Sequence, residues 1–515
     1  MRPHFEASGL AAILSSRSQS VRLKRDQTLF WLLLIISAIA RILGAFLLPN
    51  AFGDAYVYIR DIGDMSAKLT ARTFAITDLY GFWLPLYQFL SAVINVLVGN
   101  AFYAGKVVSA IFGVGSCLLI YGITLRLTAN RAAALASFAL VAINPLHIFY
   151  SSSAMTDVPH AFFVLASLYF VLRGGWIAAA IFVALAGMTR VDSWMFIVLI
   201  PVIQFLKERR VSFFALVIMC VPPLLWFYIS WKATGDWLAC FRSRQQYHDS
   251  LMVANPALTS VSAGGILRDG ATLLVSTDVA VLIASLFAGW FVFKRLGAFM
   301  RQRTAADKEK ILAPVFYFFI FLGFLLAAYV TRQAPIIFPR YGLILFSLGI
   351  PILAWTFLKL RERKPLWART LLISIVVICV FDWSTQFAGA VGTLNQHRAQ
   401  REVADYLREH YRPEVDGLIF CDEGTVQVLS GIAPEKFLTS SDAPKDREAF
   451  LAFLKERNVG YLVFVANQIS TPVKLFPDGE YGQRIDSFDP VMNSHTEFVY
   501  TNIWLYRRKV SEARP

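Results

Sequence analysis

The chain has 515 residues, of which 57% are apolar and only 16% charged, with a net charge of +14 and a mean hydropathy of +0.54. This balance excludes an ordinary soluble globular protein and fits a polytopic membrane protein whose core lies in lipid. Nucleic acid is not needed to explain the positive charge. The basic residues gather in short runs between apolar stretches, RLKR at 22–25, KERR at 207–210 and RERK at 361–364, as they do in cytoplasmic loops.

In chain order, residues 1–27 read as a cytoplasmic segment, and the basic residues Arg17, Arg22, Lys24 and Arg25 precede a first span at 28–48. It is expected to stay as a membrane helix, because no small-residue cleavage site follows before Arg41. The stretch 49–100 is expected outside. It opens as a polar, aromatic loop with Asp54, Arg60, Asp61 and Asp64, and its run at 82–99 is short and carries Pro85. That run is placed along the outer interface, since counting it as a span would put the arginines of RLTANR on the outside.

Further spans are expected at 101–125, 131–149, 160–172, 175–189, 192–206 and 211–231, then, after an external loop at 232–270, at 271–293, 311–330, 341–359 and 370–390. About eleven helices result, forming a transmembrane domain over 28–394. From 395 to 515 the apolar runs shorten and charges return. A helix over 396–411, short strands at 417–420 and 461–465, an amphipathic stretch at 447–457 and an alternating run at 498–506 predict a small extracytoplasmic α/β domain. The five cysteines are scattered and show neither a disulfide framework nor a zinc spacing.

This topology collects Asp54, Asp157, Arg190, Asp192, Arg332, Arg340 and Tyr341 on the outer side, although none of them was used to set it. A carboxylate at the mouth of a membrane helix needs water, a partner or a substrate. Asp54, in FGDAYVYIR, is tethered close to the membrane face and could accept a proton from an attacking hydroxyl; by spacing alone the plainer reading is a surface acid in a polar loop. Asp157 follows Ser151, Ser152, Ser153 and Thr156 and would also serve as a first-turn helix acid. His160 would share its helical face, so the two could orient a substrate or, as a weaker reading, hold a metal. Arg190 could pair with Asp192 or meet a phosphate. Arg340 and Tyr341 could contact a phosphate or anchor to lipid headgroups.

The order of these features resembles the GT-C superfamily of membrane glycosyltransferases, in its protein O-mannosyltransferase and aminoarabinose transferase branch. The resemblance is carried by FGDAYVYIR, GFWLPLYQFL, NPLHIFYSSSAMTDVP, AGMTRVD and FPRYGLIL, over roughly 28–210 and 330–360. It implies transfer of a sugar, with inversion, from a polyprenyl-phosphate carrier to an acceptor on the outer face. Asp54 matches the family's acceptor-binding base, and Asp157 its second-loop acid. Arg190 stands where a basic residue meets the donor phosphate, and Tyr341, with Arg340, matches a lipid-phosphate contact.

Two departures matter. Ala55 follows Asp54 where many members carry a second acid, which puts dependence on a divalent metal in doubt. Leu84 precedes Pro85 where the aminoarabinose branch has lysine, which shifts phosphate neutralisation to Arg190 and Arg340 and argues against aminoarabinose. No glycine-rich phosphate loop is present, and a lipid-phosphate sugar needs none. The rival readings are a transporter or flippase of a lipid-linked saccharide, which would show repeated halves and midplane charges, and a non-catalytic envelope scaffold. Sugar and acceptor are not readable from the sequence.

Overall fold

The computed structural model describes residues 6–254, 262–301, 310–334, 336–392, 397–466, 470–495 and 502–509. Among them, six helices are long and apolar enough to cross a membrane. They lie in α1 (Glu6–Leu47), α4 (Ala101–Thr128), α10 (Phe213–Thr234), α14 (Leu312–Val330), α15 (Pro339–Arg363) and α16 (Pro365–Gly392). Two bent pairs raise the number to eight if each is one span. These are α5 (Arg131–Ile143) with α6 (Pro145–Ser151), bent by 61°, and α12 (Ala263–Thr277) with α13 (Val279–Lys294), bent by 87°.

The other three expected spans are α7 (Asp157–Arg173), α8 (Trp176–Gly187) and α9 (Phe196–Glu208), of 17, 12 and 13 residues. At about 1.5 Å per residue the shorter two reach only about 20 Å, less than the roughly 30 Å hydrocarbon core.

Two external loops of the sequence reading contain helices instead. Residues Asp54–Ala71 form α2, with Ala55, Tyr56, Tyr58, Ile59, Ile62, Met65 and Ser66 buried on one face. That spacing is the 3.6-residue period, which the many charges on the opposite face obscure. The 82–99 run, read as a helix at the outer interface, does form a helix, α3 (Leu86–Val98), whereas the 232–270 loop holds α11 (Ala239–Ala254) and most of α12.

The break between α5 and α6 follows from Asn144 and Pro145. Asn144 Oδ1 caps α6 by accepting from His147 N at 2.8 Å, and Pro145 sits at the first helical position. The last carbonyls of α5 are then satisfied from outside. Arg41, fully buried in α1, donates to Ala142 O at 3.2 Å and Val141 O at 3.3 Å, and its Nη2 lies 2.8 Å from His147 Nδ1. Downstream, Ala154 N donates to Asn50 Oδ1 at 2.9 Å. The segment before α2 is thereby tied to the segment before α7, so the helices that begin with Asp54 and Asp157 start side by side.

After α16 the chain builds a five-stranded sheet. The boundary expected at 394/395 lies outside the described residues, as do 498–501 of the final expected strand. The strands are β1 (Leu418–Phe420), β2 (Phe437–Leu438), β3 (Val459–Val465), β4 (Phe488–His495) and β5 (Asn502–Arg508), in the order β2-β1-β3-β5-β4. The β2, β1 and β3 strands are parallel, and β5 and β4 add antiparallel. Residues of α17 (Arg398–His410) and α18 (Gly424–Ser430) pack on one face, and those of α19 (Arg447–Glu456) on the other. Every residue of β3 is buried, which is why it reads as one apolar run.

Candidate active site

Asp54 is the first residue of α2, and Arg340 is the second residue of α15. Arg340 Nη1 donates to Asp54 Oδ2 at 2.9 Å. The guanidinium also lies 5.0, 5.5 and 5.6 Å from the ring centres of Phe52, Phe338 and Tyr341. This aromatic cradle holds the arginine plane by cation–π attraction. Its Nε is buried and without a partner, so a donor remains for a further ligand.

The second ion pair is a triad. Arg190 lies in the connection between α8 and the short 3-10 helix Val191–Met195, and it donates from Nη1 to Asp157 Oδ1 at 3.0 Å and from Nε to Asp192 Oδ2 at 3.1 Å. Asp157 opens α7, and its Oδ2 is buried and unpartnered. His160, one turn on, has Nε2 2.6 Å from Ser193 Oγ and 3.4 Å from Asp192 Oδ1. The shorter contact is the governing one.

Both arginines face a cavity of about 200 Å³ lined by Asp157, His160, Arg190, Asp192, Arg340 and Tyr341. Its opposite wall is apolar, from Phe321, Phe324, Leu325 and Ala328 of α14 and Ile344 and Leu345 of α15. Asp54 is not in the lining and reaches it through Arg340. Such a space can take an anionic head and an aliphatic tail together. A larger groove of about 460 Å³ beside α12, α13 and α16 is apolar except for Asp382, whose Oδ2 already accepts from Val279 N.

Of the residues singled out in the sequence, Asp54, Asp157, His160, Arg190, Asp192, Arg340 and Tyr341 come together. Arg332 does not. It sits in the turn after α14 with positive φ, its carbonyl 2.6 Å from His248 Nε2, and only its neighbours Gln333 and Ala334 line the cavity. Asp157 and His160, considered as a metal pair, turn to Arg190 and Ser193. Among the described residues no group of three or more His, Cys, Asp or Glu side chains is placed to hold a metal ion. Leu84 is buried in an apolar cluster with Trp226 and Ile229, well suited to leucine and not to a charge.

The sequence reading missed Tyr58. It lies one turn after Asp54 on α2, is buried, and stands within electrostatic reach of Asp54, Arg340 and Asp157. The signal was the spacing of Asp54 and Tyr58 at i and i+4, once 54–71 is known to be helical.

No curated protein matches the chain in sequence. Residues 27–205 match the profile of the family described as dolichyl-phosphate-mannose-protein mannosyltransferase. Among solved structures, the chain is similar to ArnT from Cupriavidus metallidurans bound to undecaprenyl phosphate, with a TM-score of 0.55 and 14% identity over 94% of this chain and 99% of that one. It is also similar to the Archaeoglobus fulgidus oligosaccharyltransferase in complex with zinc and sulfate, with a TM-score of 0.50 and 12% identity over 92% of this chain and 73% of that one. The chain therefore shares the fold of these two solved structures, and its N-terminal third matches the mannosyltransferase profile.

Proposed function

We propose that this protein is an inverting glycosyltransferase that moves a monosaccharide from a polyprenyl-phosphate carrier to an acceptor on the extracytoplasmic face of the plasma membrane. The N-terminus is then cytoplasmic, and the α/β unit lies outside. The observation that carries the reading is the cavity itself, in which two carboxylates, two guanidiniums and a tyrosine meet an apolar wall, with Asp54 paired to one of the guanidiniums.

In this reading the acceptor hydroxyl attacks the anomeric carbon from the face opposite the phosphate. Its proton passes to Asp54. The bond from the anomeric carbon to the phosphate oxygen breaks, and its electron pair leaves with polyprenyl phosphate. Arg340 Nε, free of any partner, and the Tyr341 hydroxyl suit the growing phosphate charge. Arg190 is committed to two carboxylates and adds positive field more than a free hydrogen bond. The unpartnered Asp157 Oδ2 can accept from a sugar hydroxyl, fixing the ring for in-line attack. The tail lies along α14 and α15. ArnT, similar in fold, was solved with undecaprenyl phosphate, which supports a carrier of that class.

The test is sugar release by purified, lipid-reconstituted protein from a panel of polyprenyl-phosphate monosaccharides. Free polyprenyl phosphate from wild type and not from Asp54→Asn supports the reading. Equal release from both removes Asp54 as the base.

A further inference from the structure

The α/β unit sits on the first turn of α2, the turn that begins with Asp54. Tyr56, which is only 2% exposed, is covered edge-on by the His397 ring with centroids 5.2 Å apart. A Cβ placed on Gly424 would stand 3.3 Å from Val57 Cγ2. Val428 and Leu429 of α18 pack against the cluster that contains Ala51, Ala55 and Tyr56. His397 immediately precedes α17, and Gly424 opens α18 four residues after the end of β1.

The topology gives this contact a meaning. In the sheet order β2-β1-β3, the chain leaves β1 for one neighbour and returns to the other, so the crevice at the carboxyl ends of β1 and β3 is a topological switch point. Open α/β sheets receive ligands there. Here the residues after β1 meet α2 of the same chain, so that end of the sheet is a docking face for the helix that carries Asp54.

We propose that the α/β unit is a fixed clamp on the first turn of α2, with His397 as a positioning residue that holds Asp54 in line through Tyr56. The assignment rests on the reading of Asp54 as the base. His397 acts through its ring: both nitrogens are buried and without partners, and the contact to Tyr56 is ring against ring. Removing the ring leaves Tyr56 and the turn below it free to shift, and small misplacements of a reacting group are costly in rate.

The experiment uses the full chain in lipid. In a Cys421→Ser background, Val57→Cys and Gly424→Cys are combined and oxidised, and the disulfide is read by loss of thiol labelling. A fixed clamp gives the disulfide readily, with equal turnover before and after oxidation. In parallel, His397→Ala is expected to lower kcat about tenfold with donor KM unchanged, and His397→Phe to restore it. Failure of the cross-link in folded protein overturns the clamp. So does an oxidised enzyme that is inactive while its reduced form works, because the unit must then lift away. A His397→Ala enzyme equal to wild type, or a His397→Phe enzyme as poor as the alanine variant, overturns the role of the ring. Wild type silent on every carrier would sink the glycosyltransferase reading, and the cross-link would still decide the clamp.

Discussion

Arg340 donates from Nη1 to Asp54 Oδ2 at 2.9 Å, joining two residues 286 positions apart. The proposed base is thus held by the same guanidinium whose Nε is buried without a partner. In the proposed mechanism, acceptor activation and leaving-group stabilisation meet in one side chain.

Asp54→Asn keeps the bond to Arg340, because an amide oxygen also accepts, but it cannot take a proton. Turnover is expected to fall by roughly 10²–10⁴, the usual range for losing a general base. Donor KM should change little. Steady-state release of polyprenyl phosphate across donor concentrations checks both parts.

Arg340→Lys and Arg190→Ala should fail differently. Lysine at 340 loses the planar fork and the aromatic cradle, so donor KM is expected to rise by an order of magnitude or more at nearly unchanged thermal stability. Alanine at 190 leaves Asp157 and Asp192 facing each other without a cation, and breaking such a pair costs about 3–5 kcal/mol. A melting curve of the purified protein should show that loss, and Asp192→Asn placed on top of Arg190→Ala should recover part of it.

Gly342 follows Tyr341 and packs against α12. A Cβ there would overlap Ser276 Oγ and stand 2.6 Å from both its Cβ and its backbone carbon, closer than real contacts allow. Gly342→Ala must therefore push the start of α15 away and carry Arg340 and Tyr341 with it. We expect donor affinity to fall several-fold. Ser276→Gly should rescue it only in part, because it removes the overlapping side chain and leaves the backbone carbon 2.6 Å away; a full rescue would assign the effect to the serine side chain.

His397 lies outside the membrane-spanning segments, and burial, reinforced by the Arg401 guanidinium, lowers it from 6.5 to about 4. A depressed pKa means that the native state prefers neutral imidazole. The stability tied to it is complete above about pH 6.5 and is lost as pH falls towards 4. At about 1.4 kcal/mol per unit, the loss approaches roughly 3 kcal/mol. The melting temperature should fall further between pH 7 and pH 4.5 in wild type than in His397→Phe, which lacks this titrating group.

The apolar runs, the placement of basic residues and the order of short motifs are local or additive properties, and the sequence alone carried them to a membrane helical architecture and to most of the residues that line the candidate site. Transfer of apolar surface out of water depends on composition along a window, so it is legible without neighbours. The helix of Asp54 was not read, because its apolar face is covered by the rest of the fold and its polar face looks like a loop. The exclusion of Arg332, the pairing of His160 with Ser193 and the seat of the α/β unit on α2 were not legible either. Each depends on which groups packing brings within about 3 Å of one another, and hydrogen bonds and ion pairs of that range are chosen by tertiary structure across tens to hundreds of residues.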